Sequence, residues 1–387
     1  MKPALRSCLF LLTLLAAGGV ADAVAATTAR SLGIVSPRGG DSVANDMNAA
    51  GQVAAVIADD NGTQRGVLFQ NGQTQDLGTL GGTESVATRI NERGEIVGSA
   101  RTKDGGWHAV VYDRTNGLHD LGTLGGPASR GEAINNAGTA VGYADTANGD
   151  WHAFLYQPDP NDQHSGHMQD LGTLGGKISY ASGINNHGQV VGTATLANDY
   201  KHAFLYDPLR GMTDLGTLGG RISTATAIND DGMIVGASET RDHRWHAFVY
   251  NGVRMIDLGA IIGKGDSFAT GINNAGHVVG SVSLEDSRMS FVWRDNKMML
   301  HQSSKGLYLT NAINDKEQVI GATFSLSMNA ATMSSSAAPL TDHGGVDLAL
   351  RVATVLLLAS AMVILRKRYR GILINLVGER GMWAKYD

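Results

Sequence analysis

The chain has almost no cysteine, little proline and no clear helical pattern between its two ends. Cys8 is the only cysteine among 387 residues, and 7 prolines stand against 51 glycines. Because Cys8 lies in an N-terminal segment that we expect to be removed, the mature chain has no disulfides. It therefore depends on a large core, or on metal and ligand contacts, for stability. So much glycine without a collagen period predicts a turn-rich, all-β fold.

Basic residues are also scarce in the central part of the chain. Between residues 26 and 346 there are 22 lysines and arginines against 32 aspartates and glutamates. An acidic domain carries the wrong sign of charge for a phosphate backbone. We therefore expect no nucleic-acid partner.

The N-terminal residues have the pattern of an export signal. Lys2 and Arg6 precede an apolar stretch from Leu9 to Val20, and the small residues Ala23-Val24-Ala25 follow. This order predicts a secretory signal peptide over residues 1–25. The apolar run is shorter than the roughly 20 residues that span a bilayer, which disfavours an uncleaved anchor. The mature protein is thus predicted to be exported.

A second apolar segment lies near the C-terminus. Leu348 to Leu365 contains a single charged residue, Arg351, and a basic cluster begins at Arg366. The pattern predicts a linker over 334–347, a transmembrane helix over 348–365 and a basic cytoplasmic tail over 366–387. A buried or amphipathic helix after the repeats is the alternative. On the first interpretation the membrane is a partner through one C-terminal span, and the domain lies on the periplasmic or extracellular side.

Three short strings recur about every 44 residues. The string DLGTLGG begins at Asp76, Asp120, Asp170 and Asp214, with a worn copy at Asp257. The string Ile-Asn-x-x-Gly-x-x-Val-Gly has its asparagine at Asn91, Asn135, Asn185, Asn229 and Asn273, with degraded copies at Asn48 and Asn314. The string HAFLY and its variants begin at His108, His152, His202 and His246. Such a period indicates a repeat architecture.

Each repeat contains four β-rich segments separated by turn residues, which is the size of a propeller blade. We name them strand a (Ser-x-Ala-x-x-Ile-Asn), b (Val-Val-Gly-x-Ala), c (His-Ala-Phe-Leu-Tyr) and d (Thr-Asp-Leu-Gly). The mature chain opens with an isolated d-like segment, Ser31 to Val35, and it ends on a faded c strand at Ala330 to Met333. This phase predicts a seven-bladed β-propeller over residues 27–333 that the N-terminal strand closes. A β-solenoid is the rival fold.

The repeated strings resemble the HAF-repeat family of extracellular repeat proteins, whose label comes from His-Ala-Phe. The resemblance is strong from Gly66 to Trp293 and weaker back to Ser31 and on to Met333. It implies export and a repeat fold, and it implies no catalysis. Many members carry a C-terminal sorting tail with a Pro-Glu-Pro string. That string is absent here, which favours simple membrane anchoring.

The glycine-rich loops and the repeated histidines both have structural interpretations. No Lys-Ser or Lys-Thr follows the Gly-Thr-Leu-Gly-Gly loops, so we interpret them as crossovers between blades rather than phosphate-binding loops. His108, His152, His202 and His246 occupy equivalent points on successive blades, which are too far apart to bind one metal ion. We expect each histidine to bond an aspartate or the backbone of its own blade. No metal and no cofactor is predicted.

The segments between strands b and c contain the candidate binding residues. Aromatic side chains and nearby carboxylates are expected on one face of the disc, around the mouth of the central channel. These residues are Trp107, Trp151, Tyr200, Trp245, Asp104, Asp150, Asp199 and Asp242. A ring of this kind suits stacking on sugars or holding cations. The alternative is that each aromatic side chain packs against the next blade.

These patterns lead to a function hypothesis and two alternatives. The leading hypothesis is a membrane-anchored, extracytoplasmic binding or adhesion module for a glycan, a peptide or a protein. One alternative is a polysaccharide-active hydrolase or lyase that uses acids such as Asp150 or Asp199. The other is a structural component of the cell envelope. No triad order and no isolated carboxylate pair stands out against the repeats, so nothing in the sequence demands an enzyme.

Overall fold

The computed structural model describes residues 30–31, 42–59, 61–159, 161–259, 265–284, 287–301, 307–324 and 328–334. The predicted signal peptide, transmembrane helix and cytoplasmic tail lie outside these residues, as does the linker beyond its first residue. Within the described ranges, no helix has the length and apolar character needed to cross a bilayer.

The described residues form 28 strands in seven four-stranded antiparallel sheets. Six sheets each contain four consecutive strands, and we number them blades 1 to 6. Blade 1 contains β2 (Ser42–Met47), β3 (Val53–Ala58), β4 (Gln64–Gln70) and β5 (Gln73–Asp76). Blade 2 contains β6 (Gly81–Ile90), β7 (Ile96–Thr102), β8 (Trp107–Asp113) and β9 (Gly117–Asp120). Blade 3 contains β10 (Gly125–Ile134), β11 (Ala140–Thr146), β12 (Trp151–Asp159) and β13 (Asp162–Asp170).

The next three blades repeat this order. Blade 4 contains β14 (Gly175–Ile184), β15 (Val190–Leu196), β16 (Lys201–Asp207) and β17 (Gly211–Asp214). Blade 5 contains β18 (Gly219–Ile228), β19 (Ile234–Thr240), β20 (Trp245–Tyr250) and β21 (Met255–Asp257). Blade 6 contains β22 (Asp266–Ile272), β23 (Val278–Leu284), β24 (Ser287–Arg294) and β25 (Lys297–His301). The strands of each blade are a, b, c and d in chain order.

The seventh sheet joins the two ends of the described chain. It contains β26 (Leu307–Ile313), β27 (Gln318–Phe324) and β28 (Met328–Ser334), and β1 (Arg30–Ser31) pairs with β28. In this pairing Arg30 lies opposite Thr332 and Ser31 lies opposite Ala331. The N-terminal strand was predicted to pair at this position. Residues 32–35 of that predicted strand lie outside the described residues.

The seven a strands contact one another in sequence. In a β-propeller the innermost strands surround a central channel. Each packs beside the a strand of the next sheet, and β26 of the seventh sheet packs beside β2 of blade 1. The prediction of an all-β propeller is therefore confirmed. The Gly-Thr-Leu-Gly-Gly segments run from strand d of one blade to strand a of the next.

The phenylalanine of strand c fills the space between neighbouring blades. Phe154, Phe204, Phe248 and Phe291 are fully buried. Phe204 of blade 4, for example, packs against Leu155 and Leu171 of blade 3. Burying such a ring contributes about 1.5–3 kcal/mol, so this one repeated residue explains much of the cohesion between blades.

A repeated serine links strand a to the blade before it. The side-chain oxygens of Ser85, Ser129, Ser179, Ser223 and Ser267 each accept a hydrogen bond from a strand c amide of the preceding blade, at 2.8–3.1 Å. All five serines are buried. The first residue of the strand a motif thus satisfies an amide that the sheet itself leaves unpaired.

The glycine of the Val-Gly motif gives strand a room to bulge. Strand a carries a register shift at the same place in all seven sheets. Opposite this bulge, a Cβ atom at Gly142 would overlap the carbonyl oxygen of Arg130. Glycine is needed at this position because the two backbones approach too closely for any side chain. A bulge also redirects the side chain of its extra residue.

The asparagine that ends strand a forms a closed ring of hydrogen bonds. Each asparagine donates its side-chain N–H to the main-chain oxygen of the next asparagine, at 2.9–3.2 Å, and Asn314 completes the circle by donating to Asn48. The members are Asn48, Asn91, Asn135, Asn185, Asn229, Asn273 and Asn314. Each side-chain oxygen also accepts an amide of its own turn, as Asn135 does from Ala137 and Thr139.

The residue after each ring asparagine also links neighbouring blades by a hydrogen bond, at the surface of the protein. Glu92, Asn136, Asn186, Asp230, Asn274 and Asp315 accept, through a side-chain oxygen, the main-chain N–H of the equivalent residue in the blade before. This exposed position needs only an acceptor, so it tolerates aspartate and glutamate. The buried ring position needs a donor and an acceptor in one side chain, which asparagine has and aspartate lacks.

This difference predicts opposite results for the same substitution at neighbouring residues. Asn135→Asp should lower the free energy of unfolding by roughly 1–3 kcal/mol, because it removes a donor and places a carboxylate against the oxygen of Asn185. Asn136→Asp should change it by less than about 0.5 kcal/mol. Thermal unfolding of both variants measures the effect. Equal melting temperatures would show that the buried ring contributes no stability.

Candidate binding site

The turns between strands b and c and the crossovers from d to a lie on the same face of the disc, which we call the loop face. Leu80 of the first crossover pairs with Thr102 at the end of a b strand, and the same bridge recurs in three further blades. Most of the predicted binding residues are in these turns or at the first residue of strand c. The opposite face carries the asparagine ring.

The four repeated histidines contact the aspartate at the end of strand d in their own blade. The Nδ1 atoms of His108, His152, His202 and His246 lie 2.8–2.9 Å from the carboxylates of Asp120, Asp170, Asp214 and Asp257. In three of these blades the same aspartate also accepts the amide of Gly122, Gly172 or Gly216. This geometry joins strands c and d to the start of the crossover. In the described ranges, no group of three histidines, cysteines or acids could hold a metal ion.

Three of the predicted aromatic residues have their rings in contact with other side chains. Trp107 has the guanidinium carbons of Arg130 and Arg101 at 4.0 and 5.0 Å from its ring centroid. Trp245 stacks on Phe268 with centroids 5.9 Å apart. Because Arg130 and Phe268 belong to the blade that follows, the contacts favour packing between blades.

The third ring belongs to a cluster of three aromatic side chains. Trp151 meets Tyr143 edge to face at 5.3 Å, and Tyr143 meets Tyr180 of the next blade at 4.9 Å. Burial raises the pKa of Tyr180 to about 12, and it also raises the pKa of Tyr143. Both phenols therefore keep their protons at neutral pH.

Tyr200 does not occupy the position of the three tryptophans. In the register of strand c, Lys201 takes that position, opposite Thr195, while Tyr200 is the last residue of the turn. In the next blade, strand a has the small Thr224 at the position that Arg130 and Phe268 occupy in their own blades. Tyr200 is 38% exposed, and the guanidinium of Arg221 lies 5.7 Å from its ring. It is the predicted aromatic residue with an accessible ring.

The four predicted aspartates do not form a ring of equivalent carboxylates. Asp104 and Asp242 occupy the same turn position, but Asp199 takes the next position, where its φ is 64°. Blades 2 and 3 have Gly105 and Gly149 at that position, and blade 5 has His243. Asp150 is one residue further and precedes Trp151 directly. The four carboxylates therefore lie at three different positions of the turn between strands b and c.

The structure shows a different cluster, which the sequence analysis missed, in the wall of the channel. Five of the seven bulge residues donate a side-chain hydrogen bond to a carbonyl oxygen of the next a strand, at 2.7–2.9 Å. These are Asn45, Ser182, Thr226, Thr270 and Asn311. In blade 3 the bulge residue is Glu132, which is 8% exposed, and its Oε2 atom has no hydrogen-bond partner among the described residues.

Two arginines lie near this carboxyl group. Burial raises the pKa of Glu132 to about 7, although the positive charges of Arg89 and Arg130 oppose the shift. Burial likewise raises the pKa of Asp46 in blade 1, against the charge of Arg89 and the amide of Ile90. At the position of Arg89, blades 3 to 6 and the seventh sheet have only alanine or glycine. We call Asp46, Arg89, Arg130 and Glu132 the charged sector.

The sequence contained one signal for the charged sector. At the fourth position of the strand a motif, six repeats have serine, threonine or asparagine, and the third has glutamate. The signal is a single residue at a position that varies between repeats, so it does not alter the repeat pattern itself.

Comparisons with known proteins support the fold and no more. No family model matches the sequence, and no curated protein matches it. The β-propeller domain of the Trilobed protease from Pyrococcus furiosus is similar in structure, with a TM-score of 0.52, 10% identity, and coverage of 79% of this chain and 97% of that one. A puromycin-hydrolyzing peptidase from Mycobacterium tuberculosis has a TM-score of 0.54 and 10% identity, with 75% of this chain covered. The acylaminoacyl peptidase from Pyrococcus horikoshii has a TM-score of 0.50 and 12% identity over 75% of this chain. The match covers 50% of each of these two peptidases.

The raised pKa of Glu132 predicts a stability that depends on pH. The folded state holds the proton of Glu132 more tightly than the unfolded chain does. Protonated Glu132 therefore contributes its full share of the folding free energy below about pH 4.5, and this share is lost as the pH rises through about 7. The free energy of unfolding of the wild type should fall by roughly 2 kcal/mol between pH 5 and pH 8, and Glu132→Gln should not show this fall. Melting temperatures at the two pH values measure it, with the exposed Glu92→Gln as control. If the wild type and Glu132→Gln lose the same stability over this range, the assignment is wrong.

Proposed function

We propose that this protein is a binding module whose ligand enters the central channel and contacts the charged sector. The observation that carries the proposal is a break in the repeat. Five of the seven bulge residues are bonded to the next blade, and six of the seven are neutral. The charged one is Glu132, near Arg89 and Arg130, and it has a buried oxygen without a partner among the described residues. A buried polar atom without a partner destabilises a protein by about 1–3 kcal/mol, so its presence is better explained by a ligand than by folding.

The contacts of the aromatic side chains favour a ligand bound by charge over one bound by stacking. Sugar recognition on an aromatic platform needs an open ring face. Arg130 and Phe268 already contact the rings of Trp107 and Trp245, and Tyr143 contacts Trp151. Among the four predicted aromatic residues, only Tyr200 is exposed. The glycan hypothesis therefore has less support than a charged ligand.

Export, membrane anchoring and membership of the HAF-repeat family are also part of the proposal. The basic and apolar segments at residues 1–25 and 348–370 support a propeller outside the cytoplasm, held by one span. In the same way, the bond from Asn314 to Asn48 supports the seventh sheet as the closing blade of the ring.

Binding by the charged sector is tested with the full-length protein on peptide and glycan arrays. Arg89→Met should reduce the signal of any bound ligand at least about tenfold, because a charge-assisted hydrogen bond contributes about 1.5–3 kcal/mol. Arg254→Met, in an exposed turn of blade 5, is the matched control and should bind normally. Product analysis of each hit separates binding from polysaccharide cleavage. A ligand that binds both variants equally would place the site elsewhere.

Membrane anchoring is tested by removing residues 346–387. The full-length protein should fractionate with membranes, and the shortened protein should be found in the soluble extracytoplasmic fraction, because only the former keeps the apolar segment. Immunoblots of both fractions measure the distribution. Equal solubility of the two proteins would contradict the anchor.

A further inference from the structure

Three groups of the charged sector have hydrogen-bonding capacity that the described protein does not use. Glu132 Oε2 is buried without a partner. In the described ranges, the side chains of Arg89 and Arg130 make no hydrogen bond and no ion pair, although Arg130 stacks on Trp107. A guanidinium carries five N–H donors in a planar fork. The sector thus offers many donors and one acceptor.

The balance of charge in this sector favours an anion. A guanidinium group is always charged in proteins. Burial lowers the pKa of Arg130, and it raises the pKa of the nearby carboxyl groups of Asp46 and Glu132. A planar fork of N–H groups matches a carboxylate, with which it forms paired hydrogen bonds. The acidic character of the central chain disfavours a polyanion. The sector is therefore suited to a ligand with one carboxylate rather than many.

The unpartnered oxygen of Glu132 adds a second requirement. It can accept a hydrogen bond from a donor that lies beside the ligand's carboxylate. A peptide C-terminus has this arrangement whenever its last residue is not proline, because the terminal carboxylate and the N–H of the same residue are joined through one carbon atom. Neutral sugars lack the carboxylate.

Resting on the proposed function, we propose that Arg89, Arg130 and Glu132 form a binding site for the C-terminus of a peptide. The two guanidinium groups hold the terminal carboxylate. Glu132 accepts the N–H of the last residue. The rest of the peptide extends along the channel, so the end of the chain is recognised independently of most of its sequence.

The test uses fluorescein-labelled tetrapeptides with randomised last two residues, prepared with a free C-terminal carboxylate and, separately, with a C-terminal amide. Full-length protein should bind the free-acid library at least about tenfold more tightly than the amide library, as expected for one charge-assisted contact. Arg89→Met should abolish this preference. Arg89→Lys, which keeps the charge but not the fork, should weaken it, and Arg254→Met should leave it unchanged.

Two changes test the role of Glu132. One removes the peptide N–H that it is proposed to accept, and the other removes its carboxyl group. Methylating the last amide nitrogen of a bound peptide should weaken binding to the wild type severalfold, but it should not affect Glu132→Met. Melting curves of every variant confirm that the protein is folded. Equal effects of methylation on both proteins would exclude Glu132 as the acceptor.

The outcomes separate this inference from the more general proposal. Equal binding of free-acid and amide peptides, or no peptide binding at all, overturns the C-terminal carboxylate as the ligand. If an array then finds another ligand that depends on Arg89, the binding function of the sector still stands. If no ligand depends on Arg89, both proposals are wrong.

Discussion

The ring of seven asparagines is the interaction on which the rest of this structure depends. One side chain at the end of each a strand bonds its own turn through its oxygen and the next sheet through its nitrogen. Because Asn314 donates to Asn48, no member of the ring lacks a partner. The last set of strands is thereby held beside the first. The spacing of the a strands around the channel follows from these seven equal contacts.

Repeated residues hold the sheets together, and they leave a few positions free to vary. The buried serine, the phenylalanine of strand c and the glycine opposite the bulge each solve the same packing problem in successive blades. The bulge residue is different, because it is an extra residue in strand a and its side chain is directed away from the regular alternation of the strand. Replacing a donor with Glu132 there loses one bridge between blades, while the neighbouring contacts remain.

The repeat allowed the strands and their order to be predicted from sequence, since hydrophobic alternation and turn residues depend on local physics. The binding residues were harder. Tyr200 looked equivalent to Trp151 because both come shortly before a histidine, but Lys201 occupies the tryptophan position in the strand. The turn aspartates differ for the same reason. Whether a ring face is open depends on the strand a residue that the next blade places beside it. Thr224 and Phe268 occupy this position in successive blades, 44 residues apart, and they have very different sizes.

The same logic explains why a functional site can develop in one sector of a symmetric ring. Five bulge residues bridge to the next blade, so losing one such bond subtracts only about 1 kcal/mol from a fold with many equivalent contacts. At that position blade 3 has the charged Glu132 in place of a bridging side chain, and Arg89 replaces an alanine or glycine found in most other sheets. The asparagine ring and the buried phenylalanines keep the backbone of these strands in place before any ligand arrives. Only the side chains must then be ordered on binding, which lowers the entropic cost of a few charged contacts.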